Sequence, residues 1–258
     1  MTRKTIFITG AASGIGKATA QLFARRGWFV GLFDLNTAAL KSLEQEIGAG
    51  QCCWRRLDVT DVKEYKDALA LFSSKTGGRM DALFNCAGVM TMGGFGEIPL
   101  EDHIRTIDVN IKGVVTGTWL SLPLLRKSDH AHVVSMGSAS AMYGVPDLAV
   151  YSATKFGVKG LTEALNLELK KMNITVTDLM PLYVNTPMIR TQATTAGSLS
   201  FLGANTTPDV IAETVWKAVH GTRVHWIPTL RNKLLQNLAK VVPFLQKPVM
   251  AWISRRPG

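Results

Sequence analysis

A doubly wound parallel sheet with helices on both faces, built as a single α/β domain, is the fold this sequence predicts. Three observations carry it. Short apolar runs alternate with segments of helical period, their connections are too long for hairpins, and the runs are apolar at successive positions, so both sheet faces must be covered. The 258 residues, 47% hydrophobic and 19% charged, supply enough apolar material for such a core and exclude a disordered or fibrous chain.

Thr5 to Thr9 is a β-branched and aromatic run stopped by Gly10, the pattern of a buried strand. Ile15, Ala18, Leu22 and Phe23 then recur at helical spacing as far as Arg26. Phe29 to Phe33 is a second strand, closed by Asp34, and a helix over about Ala38 to Ile47 leads to a third strand near Cys52 to Leu57. Asp61, with Glu64 three residues on, has the form of a capped start and opens a helix toward Thr76. Ala82 to Asn85 is the fourth strand, a helical pattern covers about Glu101 to Arg126, and His132 to Ser135 is the fifth strand. Phe156, Val158, Leu161, Leu165, Leu167 and Leu169 wrap a long helix from Tyr151 to Met172, before a sixth strand at Thr175 to Met180. Thr207-Pro208-Asp209 starts a further helix with proline in its first turn, and His225 to Pro228 reads as an edge strand.

The 29 Lys and Arg against 19 Asp and Glu leave a net charge of +10. Such a balance raises nucleic acid or an anionic membrane as partners. Its distribution is uneven, because Thr214 to Gly258 holds eight cations and no acid. Residues 1–229 therefore read as the domain proper, and 230–258 as a basic, apolar extension. No nucleic-acid motif accompanies the charge, so nucleic acid is not expected. Three cysteines exclude a disulfide framework, and without CxxC or HxxxH spacing no metal is expected. The N-terminus runs straight into a strand, with no signal-peptide form, and no stretch reaches the roughly 18 apolar residues of a spanning helix. A reducing, cytoplasmic setting is the expectation.

Between the first strand and the first helix lies Thr9-Gly10-Ala11-Ala12-Ser13-Gly14-Ile15-Gly16. Glycine there permits a tight turn and leaves no side chain where backbone meets a pyrophosphate, while the helix N-terminus offers free N–H groups and partial positive charge. Asp34 ends the second strand 18 residues after Gly16, where a carboxylate accepts ribose hydroxyls and repels a 2′-phosphate. With Ser13 rather than a cation before Gly14, NAD is expected over NADP. Tyr151 and Lys155 stand one helical turn apart on the same face, downstream of the strand end Ser135-Met136-Gly137-Ser138. An ammonium beside a phenol favours the phenolate and lowers its pKa toward the range of a general acid–base.

With these motifs in this order, the chain resembles the short-chain dehydrogenases/reductases over residues 4 to 190, and that family has a Rossmann-type sheet. Gly10, Ser13, Gly14, Ile15 and Gly16 match its TGxxxGxG turn. Asp58 and Val59 look like its adenine-contacting segment, and Asn85, Ala87 and Gly88 like its NAG element. Asn110 and Ser138 stand where the family has its catalytic asparagine and serine, and Tyr151 and Lys155 match YxxxK. Pro181, Val184 and Thr186 fit the segment that reaches the nicotinamide carboxamide. Two positions depart from the pattern: the second asparagine of NNAG is replaced in the run Phe84-Asn85-Cys86-Ala87-Gly88, and Leu182 replaces the glycine after Pro181. The resemblance implies hydride transfer at the nicotinamide, with Tyr151 moving the proton and Ser138 holding the substrate oxygen. Lys155 would bind the nicotinamide ribose, and Asn110 would position a water leading to solvent.

Residues 187–207 correspond to a substrate-closing lid. Their single charge, Arg190, suggests an apolar secondary alcohol or ketone that is sterol-like, terpenoid or fatty. Met90, Met92, Met136, Met142 and Met188 are candidates for a pliable pocket wall, and Gly93 to Gly96 for a loop at its mouth. Cys86 reads as a small buried residue and His103 as a surface one. In the extension, Leu234, Leu238, Val241, Leu245, Val249 and Trp252 keep helical spacing, accompanied by Lys233, Lys240, Lys247, Arg255 and Arg256. This segment either touches an anionic membrane peripherally or packs over the substrate site or a neighbouring subunit. The family resemblance implies a homo-oligomer, dimer or tetramer, through helices 101–126 and 151–172. A 3-oxoacyl-thioester reductase and a catalytically silent dinucleotide-binding sensor are the alternative readings.

Overall fold

The computed structural model describes residues 3–230, 232–234 and 243–254. Its strands are β1 (Thr5–Thr9), β2 (Phe29–Asp34), β3 (Cys52–Arg56), β4 (Ala82–Asn85), β5 (Ala131–Met136), β6 (Ile174–Leu179) and β7 (His225–Trp226). All pair in parallel, in the order β3-β2-β1-β4-β5-β6-β7. The chain winds outward from β1 in one direction and from β4 in the other, so a crevice opens above the strand ends where the order reverses.

The helices on the two faces are α1 (Gly14–Arg25), α2 (Thr37–Ile47), α3 (Val62–Thr76), α4 (Leu100–Ile107), α5 (Gly113–Leu125), α6 (Ala149–Glu168) and α9 (Pro208–Ala218). Two short helices, α7 (Pro187–Arg190) and α8 (Gly197–Leu202), follow β6, and α10 (Gln246–Ile253) lies near the C-terminus. Alternation along β1 divides the core. Ile6 and Ile8 join the apolar side of α1, α2 and α9, whereas Phe7 points to the other face among Phe33, Tyr65 and Phe72. Phe7 stacks on Phe33 with centroids 3.9 Å apart and meets the edge of Phe72 at 5.4 Å. Burying such a ring contributes about 2–3 kcal/mol.

Local chemistry explains the element ends. Asp61 caps α3 by accepting from Lys63 N (2.7 Å) and Glu64 N (2.9 Å). Glu64 reaches back past the cap to accept from Asp58 N at 2.8 Å, and so pins the turn after β3. The single helix expected over 101–126 is instead α4 and α5 joined by one widened π turn, Asp108–Lys112. The extra residue in that turn drives Asn110 inward, where it is 1% exposed.

The sequence reading passed over one polar cluster. Asp178, fully buried on β6, accepts from His225 Nδ1 at 2.8 Å, and His225 Nε2 lies 3.1 Å from Glu163 on α6. Glu163 also pairs with Lys159 at 2.8 Å. The cluster fastens the two-residue edge strand β7 to the sheet. The hydrogen bond to Asp178 raises the His225 pKa above its ordinary value, aided by Glu163. A histidine whose folded pKa is raised adds stability that is complete below its unfolded value of about 6.5 and disappears as pH rises through the folded value. Urea unfolding of His225→Asn is therefore expected to show a deficit of about 1–2 kcal/mol near pH 6 that shrinks by pH 9. A deficit independent of pH would reject the charged pairing.

Candidate active site

The turn after β1 is built by close backbone approach. A side chain at Gly16 would put its Cβ 2.0 Å from Gly10 O, and Gly10 itself has φ +68° with Ala87 backbone 2.9 Å from where its Cβ would lie. Thr9 Oγ1 accepts from both Cys86 N and Ala87 N at 3.1 Å, locking the ends of β1 and β4 together. Above them runs a cleft of about 900 Å³. Gly10, Ser13, Gly14, Ile15 and Gly16 line its floor. Asp34, Asp58 and Val59 lie toward one end, and Ala87, Gly88 and Thr186 also line it.

Asp34 Oδ2 accepts from Ala12 N and Oδ1 from Asn36 N, both at 3.0 Å. The carboxylate thus braces the glycine turn and keeps its remaining lone pairs for a ligand. The sequence reading missed that α4 supplies Leu100, Glu101, Ile104 and Arg105 to the same cleft. Arg105 is a cation on a wall where Ser13 had suggested none. No local motif marks it, because it arrives by the packing of α4.

A second cavity, about 340 Å³, adjoins the cleft and shares Ile15, Cys86, Gly88, Thr186 and Met188 with it. Ser138, Tyr151, Lys155, Pro181 and Val184 line this cavity. Asn110 and Asn85 line neither space. Asn110 lies behind Gly88, accepting from Val89 N (2.9 Å) and donating to Val89 O (2.9 Å) and Thr154 Oγ1 (3.3 Å). Asn85 donates to Thr118 Oγ1 (3.1 Å) and Ser135 Oγ (3.4 Å), so it ties β4 to its neighbours instead of reaching the cleft.

The electrostatics of the Tyr–Lys pair differ from the expectation of a lowered phenol pKa. Burial pushes Tyr151 up to about 12, opposed by its hydrogen bond with Ser138. Burial likewise pushes the Lys155 amine down to about 8. The reason is placement: Lys155 Nζ donates to Met136 O at 2.7 Å and lies 5.3 Å from the centre of the Tyr151 ring, over its face. Ser138 Oγ accepts from Ser140 N at 3.2 Å, which fixes the hydroxyl beside the phenol.

Met90, Met136, Met142 and Met188 wall the second cavity, while Met92 is packed beneath it with Leu148 and Ala196. Cys86 is shared by both spaces, and burial pushes its thiol up to about 12. From residues 187–207, the expected lid, come Ile189, Ser198, Phe201 and Leu202. Gln192, unnoticed in the sequence, holds the lid in place by donating to Met90 O and Met188 O and accepting from Met92 N. His103 proves to be buried, not a surface residue: Nε2 lies 3.0 Å from Phe95 O and its ring stacks on Phe95. That stacking keeps the Gly93–Gly96 loop against α4, and the loop does not line the second cavity. At the opposite wall stands α10, contributing Gln246, Val249, Met250 and Ile253. Of the extension's other residues, Arg231, Leu238, Lys240, Val241, Arg255 and Arg256 lie outside the described residues.

Comparison with known proteins agrees with this geometry. The family profile described as short chain dehydrogenase matches residues 4–197. The chain is 37% identical to "Oxidoreductase UcpA" of Salmonella typhimurium over 190 residues, 73% of this chain and 72% of that one. It is also 37% identical to the 3-oxoacyl-[acyl-carrier-protein] reductase of Thermotoga maritima over 187 residues, covering 72% and 76%. Among solved structures, a 3-ketoacyl-(acyl-carrier-protein) reductase from Brucella melitensis complexed with NADH superposes with TM-score 0.79 at 28% identity, over 88% of this chain and 96% of that one. A glycine turn at the strand reversal, a Ser–Tyr–Lys cluster beside it and these similarities lead to one assignment: the chain belongs to the short-chain dehydrogenase/reductase family.

Proposed function

We propose that this protein is an NAD-dependent dehydrogenase/reductase that interconverts a hydrophobic secondary alcohol and its ketone. The observation that carries the reading is the junction of the two spaces: Ser138 and Tyr151 face a methionine-walled cavity that opens directly onto the glycine-floored cleft. The cleft fits a nicotinamide dinucleotide on its own features. A Cβ at Gly16 would close the turn, the N-terminus of α1 points its free N–H groups at the cleft, and Asp34 retains acceptor capacity. The bound nicotinamide supplies or receives the hydride.

The residues of the chain handle everything else. Ser138 Oγ, oriented by Ser140 N–H, holds the substrate oxygen and stabilises the charge that develops on it. Tyr151 Oη gives or takes the proton of that oxygen. Its raised pKa suits the acid role in ketone reduction, and the hydrogen bond with Ser138, which works against that rise, favours the phenolate needed for alcohol oxidation. Lys155, anchored on Met136 O, is in place to bind the nicotinamide ribose. Asn110 fixes Val89 and Thr154 around the site and keeps one Oδ1 lone pair for a water.

Asp34 favours NAD, since a 2′-phosphate would meet an anion at the end of β2. Arg105, a cation that also lines the cleft, is the observation that favours NADP, and the similarity to acyl-carrier-protein reductases supports a 3-oxoacyl thioester as the second substrate reading. A homo-oligomer formed through α4, α5 and α6 accords with their outward apolar residues, among them Trp119, Phe156 and Leu167.

Three measurements test the reading. Tyr151→Phe is expected to lower kcat by at least about a thousandfold while NADH still binds, as followed by its fluorescence; a near-normal kcat would refute the role. Replacing Asp34 by Ser should raise the KM for NAD by about tenfold or more and narrow the gap to NADP, whereas an unchanged ratio would remove Asp34 from cofactor choice. A spectrophotometric screen of both cofactors against steroids, terpenoid alcohols and a series of secondary alcohols of growing length should show KM falling about fourfold per methylene until the cavity is filled. Turnover confined to acyl thioesters would establish the alternative.

A further inference from the structure

The helix that closes the substrate cavity has apolar residues on both its inner and its outer side. Val249, Met250 and Ile253 of α10 face the cavity. On the turn before the helix Phe244 is 75% exposed, and Trp252 near its end is 58% exposed. Trp252 stands edge-on to Phe201 of the lid at 5.0 Å, and Phe201 is itself more than half exposed while it lines the cavity. Leu245 is exposed as well. Together these residues form an apolar rim around a cavity mouth, a surface that a protein surrounded only by water seldom maintains.

Charge indicates what the rim meets. Lys247 is exposed on the same helix, and the sequence from Thr214 to Gly258 carries eight cations with no acid. Residues 243–254 contain no acid to answer Lys247, so a second copy of this face would offer it no opposite charge. Exposed aromatic and aliphatic residues interspersed with Lys and Arg are the composition of segments that rest in the headgroup region of an anionic bilayer. No helix among the described residues is long and apolar enough to cross one, so contact would be with the surface alone.

We propose that the rim formed by Phe244, Leu245, Trp252 and Phe201, with Lys247 on the same helix, is a docking face for an anionic lipid bilayer, and that the cavity draws its substrate from the lipid. The second half deepens the apolar-substrate reading and rests on it; the docking itself does not. Flotation of the full chain with phosphatidylcholine vesicles, with and without phosphatidylglycerol, tests it. Binding to the anionic vesicles is expected to exceed binding to the neutral ones by about tenfold or more, to fall at high salt, and to shift tryptophan emission to the blue. The double variant Phe244→Asp, Leu245→Asp alters residues that do not line the cavity. It should cut binding about tenfold with thermal unfolding unchanged. Lys247→Glu should weaken binding to the anionic vesicles several-fold. Equal, negligible flotation with both vesicles would overturn the proposal. So would sedimentation equilibrium in which the double variant breaks an oligomer while vesicle binding stays unchanged, since that result assigns the face to a second copy. Flotation requires no substrate, so its failure leaves the dehydrogenase reading intact, and a failed substrate screen leaves the docking intact.

Discussion

Backbone contact between the turn after β1 and the end of β4 is the constraint on which the rest of the structure depends. Gly16 lies against Gly10 O with no room for a methyl group, and a Cβ on Gly10 would come within 2.9 Å of the Ala87 backbone. Thr9 holds the two strand ends together through two hydrogen bonds from the β4 turn. Because α1 is thereby seated directly over the sheet, its N-terminus faces the crevice at the strand reversal. The neighbouring strand ends then deliver Asp34, Gly88 and Ser138 around the same opening.

Burial sets the chemistry beside that crevice. Both members of the Tyr–Lys pair are pushed toward neutrality, the phenol upward and the amine downward, because each is surrounded by protein atoms. In such surroundings a hydroxyl or an amine acts with more electrostatic force than it would in water, so small changes in their placement matter. Lys155 held on Met136 O and Ser138 held by Ser140 N are two instances in which backbone groups fix the side chains of this cluster. The lid is tethered similarly, by Gln192 to the loop after β4 and by Tyr183 to Ser198 at 2.7 Å. The two spaces therefore share a frame, since Met188 and Thr186 line both.

Local pattern was sufficient for the elements and for the residues that belong to contiguous motifs. Continuous apolar runs and period-3.6 hydrophobicity located each strand and most helices to within a residue or two, and Asp61 marked the start of α3. The glycine turn and the Tyr–Lys spacing were legible because their function depends on neighbours along the chain. The pattern did not reveal the widened turn at Asp108–Lys112, in which Asn110 is buried. Nor did it place Asn85, which looks like a cofactor residue by motif but spends its amide between strands and helix.

What the sequence by itself determined was the alternating fold, the dinucleotide-type turn and the Ser–Tyr–Lys set, all encoded in periodicity and short spacings. The tertiary structure alone decided which distant residues share a space. Arg105 in the cleft, α10 across the cavity, Gln192 on the lid and His225 between Asp178 and Glu163 are separated in the chain from the groups they meet. It also decided the sign of the Tyr151 shift, because a pKa follows the burial and the angle of approach of its neighbours, and neither quantity is carried by spacing along a helix.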